Sequence, residues 1–153
     1  MPETAVPPYP SSYLMPALAH ATVADAMHPG ILSCPTDATP RDVARLMAMH
    51  HVHCVAVMHP PQDGVGEPYV WGIVSDLDLL RAEILAAAGQ DSAGTLSQQP
   101  TISVKPTIAL RDAAELMLRH GVSHLVVVDP ETRRPVGVLS TLDVAGVLAW
   151  GEG

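Results

Sequence analysis

The chain contains no phenylalanine, and aromatic residues make up only 3% of its 153 positions. Its core must therefore be built from Ala, Val, Leu, Ile and Met. There are two cysteines, Cys34 and Cys54. They are too few and too isolated for a disulfide framework and read as buried thiols. Positive charge is scarce as well: eight Lys and Arg face sixteen Asp and Glu, a net charge of -8. That balance argues against DNA or RNA as a partner, because gripping a phosphate backbone needs a basic surface. A single small anion needs only a few local donors and stays possible. No apolar run approaches the length that crosses a bilayer. No basic-then-apolar signal opens the chain, so a cytoplasmic protein with no membrane partner is expected. With 48% hydrophobic residues, the length fits one domain or a tightly packed pair of half-domains.

One short stretch occurs twice, Gly72-Ile73-Val74-Ser75-Asp76-Leu77-Asp78 and Gly137-Val138-Leu139-Ser140-Thr141-Leu142-Asp143. Each copy reads as the end of a buried strand, a hydroxyl residue, an aspartate three positions on, and then an apolar helix. A serine at a helix start caps it by accepting an orphan backbone N–H. The same helix start attracts anions, through its free N–H groups and the positive end of the macrodipole. An aspartate in the first turn can accept two neighbouring hydroxyls, such as those of a ribose. Anion site and diol acceptor together point to a nucleotide. The plainer alternative is that Ser75-Asp78 and Ser140-Asp143 are capping boxes and nothing more.

Taken in order, residues 1–20 hold five prolines, two tyrosines and Leu14, and read as an extended arm. Thr22 to Met27 predicts a short capped helix, with Asp25 reaching back to Thr22. His28-Pro29-Gly30 ends it, and Ile31 to Ser33 is a strand candidate. Thr39-Pro40-Arg41-Asp42 is a strong helix start, followed by an apolar face of Val43, Leu46, Met47 and His50. His53 to Met58 is a strand, His59 to Pro68 a loose hairpin loop, and Tyr69 to Val74 a further strand. The helix after Ser75 runs to a stop at Gly89, and residues 90–100 form a polar connection.

The pattern then begins again, with Arg41-Asp42 returning 70 positions later as Arg111-Asp112. At that offset residues 41–60 and 111–130 share Arg, Asp, Ala, Leu, Met, His, Val, Val and Pro, which is 9 identities in 20. The Gly-x-x-Ser motifs are separated by 65, so the first hairpin carries five extra residues where insertions cost least. The chain is therefore a tandem repeat, with a first unit over 21–89 and a second over 101–150. Each is an α/β unit of the order strand–helix–strand–strand–helix. Two such units packed sheet to sheet about a pseudo-twofold axis would bury their open faces and bring both Ser-x-x-Asp motifs to related clefts. The second unit's helix start, Ala109-Leu110, has no capping side chain, and a looser first turn is expected there.

In these features the sequence resembles a tandem pair of CBS domains, the cystathionine β-synthase type repeat, forming one Bateman module. The resemblance covers about residues 20–150. It is carried by Val23-Ala24-Asp25-Ala26-Met27, the helices with Leu46-Met47 and Leu116-Met117, the strand Ser123 to Asp129, and both Gly-h-h-Ser-x-x-Asp stretches, where h is apolar. It implies a regulatory module binding an adenosine-containing ligand, AMP first, between the repeats. By resemblance Ser75 and Ser140 would hold phosphate, and Asp78 and Asp143 the ribose hydroxyls. Adenine would lie near Ser33-Cys34 and Ser103-Val104. Strongly phosphate-binding members often begin the strand after the first helix with His-Arg. This chain has His53-Cys54 and Ser123-His124 there, each with one donor and neither with a guanidinium. A monophosphate or a phosphate-poor adenosyl ligand fits that change better than a triphosphate.

His50-His51-Val52-His53-Cys54 looks like a metal cluster on paper. It bridges a helix end and a strand start, however, so its side chains should diverge and no metal site is expected. Arg133-Arg134 reads as a solvated turn. No nucleophile–base pair, Walker loop or zinc-hydrolase helix is present, and Asp76 is expected to face solvent, so catalysis is not expected. Two functional classes stay open. One is a ligand-binding regulatory module read by an unseen partner protein. The other is a structural interaction module with empty sites. The apolar helices Leu77–Ala88 and Leu142–Trp150 favour a homodimer in either case.

Overall fold

The computed structural model describes residues 17–61, 64–85, 92–97 and 102–151. The arm with Tyr9, Tyr13 and Leu14, and the helix stop at Gly89, lie outside the described residues. The elements run α1 (Val23–Ala26), β1 (His28–Pro29), β2 (Ser33–Pro35), α2 (Pro40–His50), β3 (Cys54–His59), β4 (Tyr69–Ser75) and α3 (Asp76–Leu85). They continue with α4 (Ala93–Leu96), β5 (Ser103–Val104), α5 (Leu110–His120), β6 (His124–Val128), β7 (Pro135–Ser140) and α6 (Thr141–Trp150).

The repeat read from the sequence is present in hydrogen-bonded register. Ser33 pairs with Ala56 as Ser103 pairs with Val126, each a parallel contact. Cys54 pairs with Ser75 as His124 pairs with Ser140, each antiparallel. Both hairpins even break register at the same place, after Val57 and after Val127. The first sheet has the order β2-β3-β4 and the second β1-β7-β6-β5.

Strands β3 and β6 are buried on both faces, which explains their unbroken apolar runs. Val55 and Val57 point into a core with Val43 and Met47 of α2, and Leu125 and Val127 into one with Ala113 and Met117 of α5. Cys54, Ile73 and Val126 point the other way, where the two sheets meet face to face. Helix α2 starts as its sequence dictates: Asp42 N–H donates to Thr39 Oγ1 at 3.1 Å, and Thr39 N–H donates to Asp42 Oδ2. Those bonds hold the Asp42 carboxyl below its usual range.

Two expectations change. Helix α5 is not loose at its start, because Leu110 N–H donates to the Ala21 carbonyl at 2.9 Å and Leu110 is fully buried. The backbone of a distant segment replaces the missing cap. Second, His50 does not join the apolar face of α2 and is exposed, as is His120. The chain leaves α2 through His51 in the left-handed conformation (φ 54°), so the last turn projects beyond the face that Val43 and Met47 bury.

The short helices trade places. Helix α1, first in the chain, donates Val23 N–H to Ile108 and Ala24 N–H to Pro106, and buries Val23 in the second core. Helix α4 does the reverse. Ala93 N–H donates to Ala38, Trp71 Nε1–H donates to Gly94 at 3.0 Å, and Ala93 is buried in the first core.

From the second core the chain passes along β1, an edge strand seated on β7 with His28 opposite Val138 and Pro29 opposite Gly137. The seat is close: a Cβ on Gly137 would collide with the His28 carbonyl oxygen, which is backbone and cannot swing aside. Gly137→Ala is therefore expected to lower stability by ~1–3 kcal/mol, the range for overpacking. Urea unfolding of the variant against the parent measures it, and an unchanged midpoint would show that β1 is not tightly seated.

Candidate functional site

A cleft of about 870 Å³ opens between the repeats. This volume is ordinary for a small-molecule site. Its walls come from both halves. The first sheet side contributes the end of α2 with His50 to Val52, the start of β3 with His53 and Cys54, and Asp76. The second contributes His124, Val138, Ser140, Thr141 and Leu142. The segment His28 to Leu32, running from β1 on one sheet toward β2 on the other, closes one side.

Both Ser-x-x-Asp motifs are built as capping boxes. Ser140 N–H donates to Asp143 Oδ2 at 2.8 Å while Asp143 N–H donates to Ser140 Oγ at 3.1 Å. Ser75 and Asp78 repeat this, at 2.8 and 3.2 Å, and Ser75 Oγ–H adds a bond of 2.9 Å to the same carboxylate oxygen. Both aspartates are buried, Asp78 at 7% and Asp143 at 4% exposure. The second oxygen of Asp143 is taken by His28, whose Nδ1 lies 2.8 Å from Oδ1. On Asp78 the corresponding oxygen lies 3.9 Å from the Arg81 guanidinium.

The sequence-derived site residues divide accordingly. His53, His124 and Ser140 come together in the cleft, with Asp143 directly behind its rim. Ser75 and Asp78 occupy the matching place in the first repeat and do not line this cleft. Ser33 and Ser103 are exposed, Cys34 and Val104 point into their cores, and none of the four lines the cleft. Ser123 stands beside it, with its Oγ 3.0 Å from His124 Nδ1.

Asp76 corrects its expectation in part. It is more than half exposed, yet its Oδ2 lies 3.0 Å from His53 Nδ1. That hydrogen bond holds the Asp76 carboxyl below its usual range. Burial holds His124 below its ordinary 6.5, so its imidazole is neutral at pH 7. Burial also pushes the Cys54 thiol up to about 12, which keeps it protonated and unreactive. Arg134 is not simply solvated either, since its guanidinium lies 2.6 Å from Glu67 Oε1 on the other hairpin.

Sequence reasoning did not assign His28, His50 and His51 to the site. The available signal was density: five of the chain's eight histidines line this one cleft. Among the described residues, no group of three or more His, Cys, Asp or Glu is arranged to hold a metal ion.

The comparisons with known proteins bear on the whole architecture. The family model for the CBS domain matches twice, over residues 23–84 and 93–149. The chain belongs to the CBS domain family. A CBS domain protein, PAE2072 from Pyrobaculum aerophilum, was solved in complex with AMP; it is 30% identical over 80% of this chain and 89% of its own, with a TM-score of 0.67. The CBS domain pair of MJ0100, solved with 5′-methylthioadenosine and S-adenosyl-L-methionine, is 17% identical over 84% of this chain and 96% of its own, TM-score 0.70. A conserved protein from Pyrococcus horikoshii matches at 19% over 86% and 91%, TM-score 0.68. No curated protein sequence matches this CBS pair. The α+β architecture of two sheets read from the repeat is thus that of a CBS pair, and among the described residues no helix is long and apolar enough to cross a membrane.

The His53–Asp76 pair has a measurable consequence. A carboxyl held low in the folded state adds stability above its unfolded value near 3.8, and that stability is lost as pH falls below it. In His53→Ala the Asp76 titration, followed by NMR, should move up toward 3.8. An unmoved titration would mean that the 3.0 Å contact is not held in solution.

Proposed function

We propose that this CBS pair is a regulatory module that takes an adenosine-containing nucleotide, AMP first, between its repeats and passes the occupied state to a partner protein. The observation that carries this reading is the cleft itself. It is of ligand size, it is walled by both repeats, and the start of α6 at Ser140 meets His53 and His124 there. The AMP complex of the 30%-identical relative supports the choice of ligand class.

In this reading the phosphate lies at Ser140, within reach of His53 and His124, and the ribose hydroxyls reach Asp143 by replacing or sharing its bond from His28. Ser75 and Asp78 do the same in the first repeat, and adenine packs near the first strand of each repeat, around Ser33-Cys34 and Ser103-Val104. Because both walls touch one ligand, occupancy shifts the balance between arrangements of the two repeats. The exposed apolar side chains Leu77, Leu80 and Ile84 of α3 and Leu142 and Leu148 of α6 support a homodimer through these helices. The reading places the protein in the cytoplasm, where such nucleotides are found.

A second reading, an interaction module with empty sites, is favoured by one observation. Asp78 and Asp143 already spend an oxygen on their own capping boxes, as helix starts without ligands do.

Thermal denaturation with AMP, ADP, ATP, NAD, S-adenosylmethionine and GMP separates the two. A ligand at a hundred times its Kd should stabilise the fold by ~2.7 kcal/mol. No shift with any of them would support the interaction module. With a ligand in hand, Asp78→Ala and Asp143→Ala should each weaken binding at their own cleft by ~1–3 kcal/mol. Unchanged affinity in both would sink the ribose assignment. Light scattering of Ile84→Glu should show a smaller species than the parent, and an equal mass would remove α3 from the dimer.

A further inference from the structure

The cleft has an unusual charge supply. Among the described residues that line it there is no lysine or arginine, and every side chain able to carry positive charge is a histidine. Acid faces them from both repeats: Asp76 lines the cleft, and Asp143 sits behind its rim against His28. Without protons on the imidazoles, an arriving phosphoryl group meets net negative charge.

We propose that this cleft accepts a phosphoryl group only together with a proton, carried by the imidazoles of His53 and His124, one from each repeat. This rests on the nucleotide reading above and specifies its regulation.

The other titratable groups around the pair leave it that role. His28 on β1 is engaged by Asp143 at 2.8 Å. His50 and His51 also line the cleft, from the exposed end of α2, and both belong to the first repeat alone. Cys54 on β3 stays a thiol. His53 is nearly three-quarters exposed and donates to Asp76, so it can turn toward a ligand at little cost. His124 is neutral at pH 7, because burial penalises its charged form more than Asp76, Asp143 and Asp78 favour it. A dianion placed beside it tips that balance toward the charged form. The proton comes from solvent, and binding draws it in.

Linkage gives the sign. If the bound complex holds more protons than the free partners, affinity rises as pH falls, by up to about tenfold per pH unit for one proton. A permanently charged arginine would give no such slope. The two imidazoles belong to different repeats, so the phosphate they share also ties the repeats together. Nucleotide level and pH are then read by one device.

The test is calorimetry of the full chain with AMP and with adenosine at pH 8.0 and 6.5, in two buffers of different ionisation enthalpy. AMP stays mostly dianionic over this range, since the second phosphate pKa is about 6. AMP affinity should rise about fivefold or more on going to pH 6.5, with uptake of about one proton, while adenosine changes by less than about twofold. His53→Lys supplies a fixed charge at an exposed position. It should hold AMP at pH 8.0 nearly as tightly as the parent does at 6.5. His124→Gln should reduce proton uptake. Equal pH slopes for AMP and adenosine, no proton uptake, or an unaltered slope in His53→Lys would each overturn the proposal. Adenosine binding without AMP binding would overturn it and leave the adenosine reading standing. Binding of neither would overturn both.

Discussion

The rest of this structure depends on an exchange of two short helices. Val23 of α1 and Ala93 of α4 are each fully buried, and each fills the core of the repeat other than the one that directly follows it in the chain. Neither helix is longer than four residues, so neither would be stable alone. Their backbone ends are satisfied by the opposite repeat, α1 by Pro106 and Ile108 and α4 by Ala38 and Thr36. The exchange forces the chain to cross from one sheet to the other. One crossing, His28 to Leu32, forms a wall of the cleft. The cleft between the repeats is thus a by-product of how the repeats are joined.

The face-to-face contact of the sheets is small and apolar, with Cys54, Ile73 and Val126 fully or nearly buried and valines around them. It is aliphatic throughout, with valines, Ile73 and Cys54 in place of rings, in a chain that has no phenylalanine. Polar groups collect where the contact ends, and their electrostatics follow from depth. His53 and Asp76, both more than half exposed, satisfy each other in partial solvent. His124, deeper in, pays a desolvation cost that leaves it neutral at pH 7. Cys54, deeper still, is a thiol at any physiological pH.

Most of the fold was legible because duplication writes the same signal twice. The nine shared residues between 41–60 and 111–130 fix the register of both hairpins, and the capping residues Thr39, Ser75 and Ser140 mark helix starts within a residue. What was not legible depends on distant partners. Nothing near Leu110 announces that Ala21 will cap its helix, and nothing near Val23 says that its core lies some 80 positions on. His50 was misjudged because periodicity carries on to the end of a helix while the surface it packs against does not. Of the residues lining the cleft, Ser140, His53 and His124 were legible as candidates in the sequence. His28 was hidden because β1, two residues long, has no sequence signal until its partner strand is known.

The exchange of α1 and α4 also makes the two repeats unequal to two separable modules. A chain cut in the connection between α3 and α4 would leave one fragment holding the helix that completes the other's core, in both directions. Neither fragment could close its own interior, yet the two together would carry every part needed. Such a molecule is interlocked like two clasped hands, each repeat holding a piece of the other. Gene fission of this chain would yield halves that function only as a heterodimer of complementary fragments.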